Sequence, residues 1–162
     1  MSLAMHLLNG VVQAHKQNLN SLIHGSELFL TVRLMPPRTS AGVNILYGDP
    51  TRETSKAGET KGPFKCLWYD ALAIISGPRG VEPIVQQLAG QFKEADSFAE
   101  LWLGDVLVDT SDPFGNTWFD KAQAVVFNGK RFDYLGSAKL GLSTTAPYII
   151  MVALKGAAGH VD

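Results

Sequence analysis

The order of apolar and polar residues changes along this chain from helical spacing to mostly extended spacing. Residues 3–24, LAMHLLNGVVQAHKQNLNSLIH, repeat apolar side chains at helical spacing, and Gly25 follows as a helix stop. The pattern predicts an amphipathic helix with one broad apolar stripe. Its members are Leu3, Leu7, Leu8, Val11, Val12, Leu19, Leu22 and Ile23. Because Gly10 costs about 1 kcal/mol relative to alanine within a helix, we expect the helix to need other contacts for its stability.

Segments with β-type composition follow the predicted helix. The run ELFLTVRLM (27–35) alternates with period two and is ended by Pro36-Pro37, since proline supplies no ladder donor. Several short strands after one helix predict a mainly β fold with an N-terminal α-helix, as an antiparallel β-sandwich or a small barrel. The later candidates are FKCLWYDALAII (64–75), SFAELWLGDVLVD (97–109), AVVFNG with KRFDYLG, and PYIIMVALKG (147–156).

The stretch VVFNGKRFDYLG (125–136) predicts a β-hairpin. Its Asn128-Gly129 pair favours a type I′ turn, whose twist matches that of the flanking strands. Phe127 and Phe132 are expected to face each other across this turn. The charged residues beside them are expected to form an exposed strand edge that discourages uncontrolled pairing. They are Lys130, Arg131 and Asp133.

A long polar loop separates the first strand from the rest of the β segments. Residues 36–62 are rich in Gly, Pro, Ser, Thr and charges of both signs, and a loop of this length usually is a functional arm, a disordered segment or an extended hairpin. We expect one domain over 1–162, with this extended arm, a β core over 64–156 and a loose tail over 157–162.

Composition narrows the classes of function. With Lys+Arg 14 against Asp+Glu 15, the chain lacks the basic excess that phosphate-tracking surfaces need, so sequence-specific nucleic-acid binding is disfavoured. The single Cys66 lies in an apolar stretch and is expected to be a buried, inert thiol. No leader pattern and no apolar run of about 18–20 residues occurs, so we expect a soluble protein that is intracellular when made, with no membrane partner.

Metal sites are disfavoured by spacing. His6, His15 and His24 are nine residues apart, which places neighbours in the series on opposite sides of a helix, and His160 is remote from them. The acidic residues do not follow the calcium-loop pattern and are interpreted as solvated strand ends and turns. They are Asp96, Glu100, Asp105, Asp109, Asp112 and Asp120.

Catalytic motifs are not found either. The stretches GPRGVEP and GLSTTAP do not match a phosphate-binding loop, and turns explain their glycines. Ser137, Ser143 and Cys66 do not lie in a G-x-S-x-G elbow, and no histidine occurs between residues 25 and 159. We therefore expect no enzyme and no cofactor.

The stretch DPFGNTWFD (112–120) places three aromatic residues in a loop composition. Phe114, Trp118 and Phe119 have no obvious core position there, so two interpretations stay open. The loop is either an interface anchor, since aromatic residues contribute strongly to protein contacts, or a locally self-packed turn.

The order of elements resembles that of the head-to-tail joining proteins of tailed bacteriophages, the small neck connectors and stoppers. The resemblance covers about residues 80–156 and rests on a hairpin motif and on a last strand that carries a Tyr and ends on Leu-Lys-Gly. The matching residues are Val125, Val126, Phe127, Asn128, Gly129, Lys130, Phe132, Tyr134, Tyr148, Leu154, Lys155 and Gly156.

This resemblance implies a structural virion protein that assembles as a ring in the neck, after synthesis in the host cytoplasm. Its implied partners are copies of itself, a portal or adaptor protein and tail proteins, and DNA passes through the ring. Ring contacts are heterologous, so the arm 36–62 and the loop 111–119 are hypothesised to lie at them. The named candidates are Arg38, Tyr47, Arg52, Lys56, Phe114, Trp118 and Phe119.

Two alternatives remain at this point. The first is a tail-terminator or baseplate component, which differs only in its position along the same particle. The second is an enzyme or ligand-binding barrel whose mouth is lined by Asp105, Asp109 and Trp118.

Overall fold

The structure is a computed structural model, and it describes residues 3–35, 58–70, 90–141 and 146–157. Within these ranges the chain forms one long helix, six strands and two short helical turns. They are α1 (Leu3–His24), β1 (Phe29–Leu34), β2 (Thr60–Asp70), β3 (Ser97–Trp102), α2 (Leu103–Val106), a 3₁₀ turn (Trp118–Lys121), β4 (Ala122–Phe127), β5 (Lys130–Leu140) and β6 (Ile149–Gly156).

The six strands form a closed antiparallel barrel in the order β1-β2-β3-β6-β5-β4. Strand β4 pairs with β1, with Val125 opposite Val32, and this pairing closes the barrel. The fold class predicted from the sequence is confirmed, and of the two architectures left open the barrel is the one observed. Closure leaves no unpaired strand edge among these six strands.

The barrel interior is filled by side chains from alternate strand positions, as the two-residue period of strands requires, and by side chains of α2, Leu107 and the 3₁₀ turn. These buried residues are Leu30, Val32, Leu34, Cys66, Ala99, Leu101, Leu103, Val106, Leu107, Phe119, Val125, Phe127, Ile150, Val152 and Leu154. The Trp68 ring stacks on Phe127 with 3.8 Å between ring centroids, and Phe132 meets the Trp68 ring edge-on at 5.1 Å. Apolar packing therefore occupies the space where larger barrels hold ligands.

Part of the outer surface of the sheet is also buried. Phe98 and Met151 form one outer cluster with Ala95, against which Phe92 packs. Helix α1 covers a second area, where Leu19 contacts a cluster that includes Tyr148. Strands β3 and β6 are thus covered on both faces, which explains their nearly continuous burial.

Helix α1 has the predicted bounds but not the predicted single stripe. Only Val12, Leu19 and Ile23 are buried in the described helix. The other large apolar residues of the predicted stripe are exposed, and most of them belong to the first nine residues. The stripe was predicted too broad because helical spacing alone does not separate the row that packs on the barrel from a second apolar row beside it.

The hairpin turn is the one predicted, with positive φ at Asn128 (49°) and Gly129 (73°) as a type I′ turn requires. Two details differ. Phe132 lies opposite Val125, so Phe127 and Phe132 are diagonal neighbours that both contact Trp68. The predicted exposed strand edge is wrong because β5 pairs with β6 along its length, although the charged residues near the turn are exposed.

Two predicted boundaries shift. The run 97–109 is a strand only to Trp102, after which the chain makes the helical turn α2. The arm predicted over 36–62 ends earlier, because Thr60 already pairs with Arg33 of β1. Residues 36–57 lie outside the described residues, as do 158–162 of the predicted tail.

Candidate functional site

The predicted contact residues are divided between described and undescribed parts of the chain. Arg38, Tyr47, Arg52 and Lys56 lie outside the described residues. Phe114, Trp118 and Phe119 lie in one loop between α2 and β4, where the structure gives each of them a different environment.

The loop that carries Phe114 is closed at its base by backbone pairing. Leu107 and Thr117 form an antiparallel bridge, and the Val108 N–H donates to the Asn116 carbonyl at 3.0 Å. These contacts hold the two ends of the loop together. The residues between them form a compact excursion from the barrel of the kind that surface binding loops use.

Two aspartates fix the backbone within this loop. Asp109 Oδ1 accepts hydrogen bonds from the side-chain hydroxyl and the backbone N–H of Ser111, at 2.7 and 3.0 Å, and both bonds lower the pKa of the Asp109 carboxyl. Asp112 Oδ1 accepts from the Phe114 N–H at 3.0 Å, and the Gly115 N–H donates to the Asp112 carbonyl. The conformation of the loop is therefore fixed by its own hydrogen bonds.

Phe114 lies at the tip of this loop and is 73% exposed. The Lys139 ammonium donates to the Gly115 carbonyl, which ties the tip to strand β5. An aromatic ring held in solvent by an ordered loop loses little conformational entropy when a partner covers it. Phe114 has the properties of an interface anchor.

Phe119 packs inside the chain, and Trp118 is partly packed against it. Phe119 has no exposed surface and contacts Tyr134 inside the barrel, with 5.9 Å between ring centroids. Its assignment as a contact residue is therefore wrong. Trp118 is half-buried, and the Lys61 ammonium lies 4.7 Å from its ring centroid as a cation–π pair.

A capping box explains why Phe119 turns inward. The Thr117 backbone N–H donates to Asp120 Oδ2 at 2.7 Å, and the Thr117 hydroxyl shares the same oxygen at 3.2 Å. This pair starts the 3₁₀ turn that rotates Phe119 into the core. Self-packing is therefore observed for Phe119, while Phe114 is held outward and its role as an interface anchor stays a prediction.

A second exposed apolar surface lies on α1, and the sequence analysis missed it. Residues 3–11 are all exposed in the single chain. The large apolar side chains among them are between 49% and 78% exposed. They are Leu3, Met5, Leu7, Leu8 and Val11. Separating the two apolar rows on a helical wheel would have given the signal, because a helix that covers one face of a barrel needs only one row.

The second half of α1 is attached to the barrel by polar contacts as well as by its core residues. His15 Nδ1 and the Tyr148 hydroxyl lie 2.7 Å apart, and His24 Nε2 lies 2.7 Å from Asp105 Oδ2. The rings of His24 and Tyr148 also contact Trp102. All of these contacts are made by residues after residue 11, so residues 3–11 of α1 take no part in them.

The acidic residues that suggested metal or active-site chemistry do not come together. Asp105 pairs with His24, Asp109 with Ser111, and Trp118 with Lys61, so these residues do not share one mouth. Within the described ranges, no group of three or more His, Cys, Asp or Glu side chains could hold a metal ion.

One acidic residue was placed wrongly. Glu100 is buried in the middle of β3, where it accepts a hydrogen bond from the Tyr69 hydroxyl at 3.0 Å. It was expected to be a solvated strand end. Its burial follows from the cover over the outer face of β3, which the spacing of acidic residues does not reveal.

The described candidate nucleophiles are either buried or hydrogen-bonded to a neighbouring side chain. Cys66 is fully buried in the barrel, which confirms the predicted burial of this thiol. Burial raises the pKa of the thiol to about 12, so the reactive thiolate form is disfavoured. Ser137 Oγ lies 2.9 Å from the Tyr134 hydroxyl, whose pKa burial raises above its ordinary value. Ser143 lies outside the described residues.

An open depression of about 490 Å³ lies on the outside of the chain between α1 and Trp102. Its lining is polar apart from the indole ring, and it does not connect to the barrel interior. The lining residues are Gln13, Lys16, Gln17, Asn20, Ser21 and Trp102. Among the described residues that line it there is no acid and no histidine.

Comparison with protein-family models, with curated proteins and with solved structures found no match for this chain. In the described part of the chain, no helix combines the length and apolar character that a membrane span requires. Among the described residues, the largest group of exposed apolar side chains lies on residues 3–11 of α1, and Phe114 is exposed at the tip of its loop. Other exposed apolar side chains are Leu22, Leu28, Phe29, Met35 and Val108.

Proposed function

We propose that this chain is a structural subunit of a tailed-bacteriophage virion, a head-to-tail connector that assembles with copies of itself into a ring in the neck. One face of the ring contacts the portal side and the other contacts the tail, and DNA passes through the opening. The chain acts by shape and contact, without catalysis.

The observation that carries this proposal is the apolar surface that the single chain leaves in solvent. A monomeric protein rarely exposes a contiguous apolar patch larger than a few hundred Å², and larger patches mark protein or membrane contacts. Here such side chains cover the first turns of α1, and a separate aromatic ring lies at the tip of the ordered 107–117 loop.

The interior of the barrel supports the same proposal. Side chains fill it, and Trp68 closes over Phe127 and Phe132. A filled barrel is a rigid scaffold that holds surface loops and a helix at fixed positions. A ligand-binding barrel would instead keep a cavity with a few convergent polar groups.

Ring assembly also requires that two different patches meet, because a head-to-tail contact joins unlike surfaces of neighbouring copies. The α1 segment and the Phe114 loop are exposed in different parts of the chain, and each of them can contribute to contacts with neighbouring subunits. The near balance of acidic and basic residues fits a ring through which DNA slides without tight phosphate contacts.

Removing the gene from a phage that carries it tests this proposal. We expect that filled heads and free tails accumulate without joining, and that supplying the wild-type chain from a plasmid restores complete particles. Complete, infectious particles in the absence of the chain would contradict the proposal, whatever the oligomeric state of the purified protein.

A further inference from the structure

The first nine residues of α1, called here the N-terminal segment (residues 3–11), include no buried residue in the described structure. Every residue of the segment is exposed, and burial of the helix begins at Val12. Covering one large apolar side chain stabilises a protein by about 1.5–3 kcal/mol, so this segment gains considerable free energy from any surface that fits it.

The apolar side chains of the segment form two rows. At 100° per residue, Met5 and Leu8 continue the row whose later members pack on the barrel. Leu3, Leu7 and Val11 form a second row, centred about 130° around the helix axis from the first. One segment can therefore contact two neighbours at the same time, each with a different row.

Charge favours a second copy of this chain as the neighbour. No Asp, Glu, Lys or Arg occurs between Leu3 and His15, and Lys16 is the first charged residue of the helix. Two copies of such a segment can approach without the repulsion that a charged patch has for itself. A strongly basic or acidic partner could form no ion pairs with Asp, Glu, Lys or Arg in this segment, because it contains none.

The apolar rows supply part of the area of a contact between copies. One copy offers three side chains and the next copy offers two, at about 60–120 Å² each from the burial energy per unit area, so each side contributes of the order of 100–400 Å². A standard interface takes about 800 Å² from each partner, so the rows form the apolar centre of the contact and other surfaces complete it. Packing along helix ridges uses rows of this spacing.

We propose that the N-terminal segments of neighbouring copies pack side by side, with the Leu3, Leu7 and Val11 row of one copy against the Met5 and Leu8 row of the next. This inference rests on the ring assembly proposed above and specifies its contact. Because the two rows differ, the contact is heterologous and can repeat around a closed ring.

Three variants of the full chain test the contact. Leu7→Glu disables the second row, Leu8→Glu disables the first row, and Gln13→Glu adds the same charge on the polar face as a matched control. All three positions are exposed, and glutamate has a helix propensity close to that of leucine, so the barrel and the helix are retained. Circular dichroism and thermal unfolding check this.

Native mass spectrometry gives the readout. We expect rings from the wild-type chain and from Gln13→Glu, and single copies from Leu7→Glu and from Leu8→Glu. A one-to-one mixture of the two row variants should form a heterodimer and nothing larger. In that mixture the intact first row of the Leu7→Glu copy meets the intact second row of the Leu8→Glu copy, and the two disabled rows stop growth.

Several results would overturn the inference. Rings that survive both row variants would place the contact elsewhere on the chain and leave the proposed connector function intact. A row variant that dimerises with itself would show a two-fold, like-with-like contact, and row variants that stay single copies on mixing would show that the two rows do not meet. A wild-type chain that stays a single copy yet sediments with phosphatidylcholine vesicles would make lipid the occupant of the segment.

Discussion

Phe114 and Phe119 are five residues apart in one loop, and their different environments predict different effects when each is truncated. Phe119→Ala should lower the free energy of unfolding by about 3–5 kcal/mol, because it removes a fully buried ring from a filled core. Phe114→Ala should change it by less than about 0.5 kcal/mol, because its ring is mostly in solvent.

Chemical denaturation of the two variants checks this prediction, and assembly gives a second readout. If Phe114 anchors a contact, Phe114→Ala weakens the association of copies or partners although the single chain stays as stable as before. Similar losses of stability in both variants would mean that the loop is packed differently from the structure described here.

Cys66 predicts a dependence of stability on pH. Its thiol keeps a proton in the folded chain up to pH about 12, whereas the unfolded chain releases it near the ordinary value of 9.0. The folded state therefore binds more protons within this window, and stability falls as the pH rises through it, by at most about 1.4 kcal/mol per pH unit.

Unfolding curves between pH 8 and pH 11 test the role of Cys66 when the wild-type chain is compared with Cys66→Ala. The variant should be less stable throughout, since a cavity is created, but its stability should fall less steeply above pH 9. The raised pKa of Tyr134 acts in the same direction and is retained in both chains. Equal slopes of stability against pH in the two chains would contradict the assignment of this pH dependence to Cys66.

At the scale of elements, two glycines predict opposite effects of one substitution. Gly10 lies in the interior of α1 with open space around it, so Gly10→Ala should stabilise the helix by about 1 kcal/mol. Gly129 has φ of 73° in the hairpin turn, so Gly129→Ala should destabilise the chain by about 1–2 kcal/mol.

Thermal unfolding of both glycine variants measures these changes. Asn128 is the neighbouring turn residue with positive φ, and asparagine tolerates this region better than alanine, so Gly129→Asn is the matched control and should cost less than Gly129→Ala. Equal effects of alanine at both glycines would show that the turn is not of type I′.

The elements that the sequence predicts well are those with local signals. Helix α1 stops at Gly25, the Asn128-Gly129 turn specifies its hairpin, and Pro36-Pro37 follows the end of β1. Closure of the barrel depends on β4 pairing with β1 and on β3 pairing with β6, which are distant along the chain. Local periodicity does not encode which strands pair, so sandwich and barrel could not be separated from sequence alone.

The candidate site was predicted only in part, for a related reason. The 112–120 loop was selected by its composition, but which of its rings is exposed depends on the capping box and on the tie between Lys139 and Gly115. The exposed segment of α1 was missed because all of its apolar residues fit helical spacing. Which of these residues are exposed depends on which part of the helix packs on the barrel, and this is set by the tertiary fold.

At the scale of the whole molecule, the described residues form a filled barrel with two exposed apolar surfaces, the Phe114 loop and residues 3–11 of α1. The barrel fixes the base of the Phe114 loop through the bridge between Leu107 and Thr117, and it fixes α1 through His15 and His24. Both surfaces are exposed in the described part of the chain. The proposed contact between two unlike rows of α1 repeats into a closed ring and does not form a two-fold dimer.

Native mass spectrometry of the purified wild-type chain, with electron micrographs of the same sample, tests this central claim most directly. We expect one species of fixed stoichiometry, a whole multiple greater than two of the 17.5 kDa chain, which appears as a closed ring in projection. A single folded copy at every concentration up to the solubility limit, or a two-fold dimer that does not grow, would contradict it.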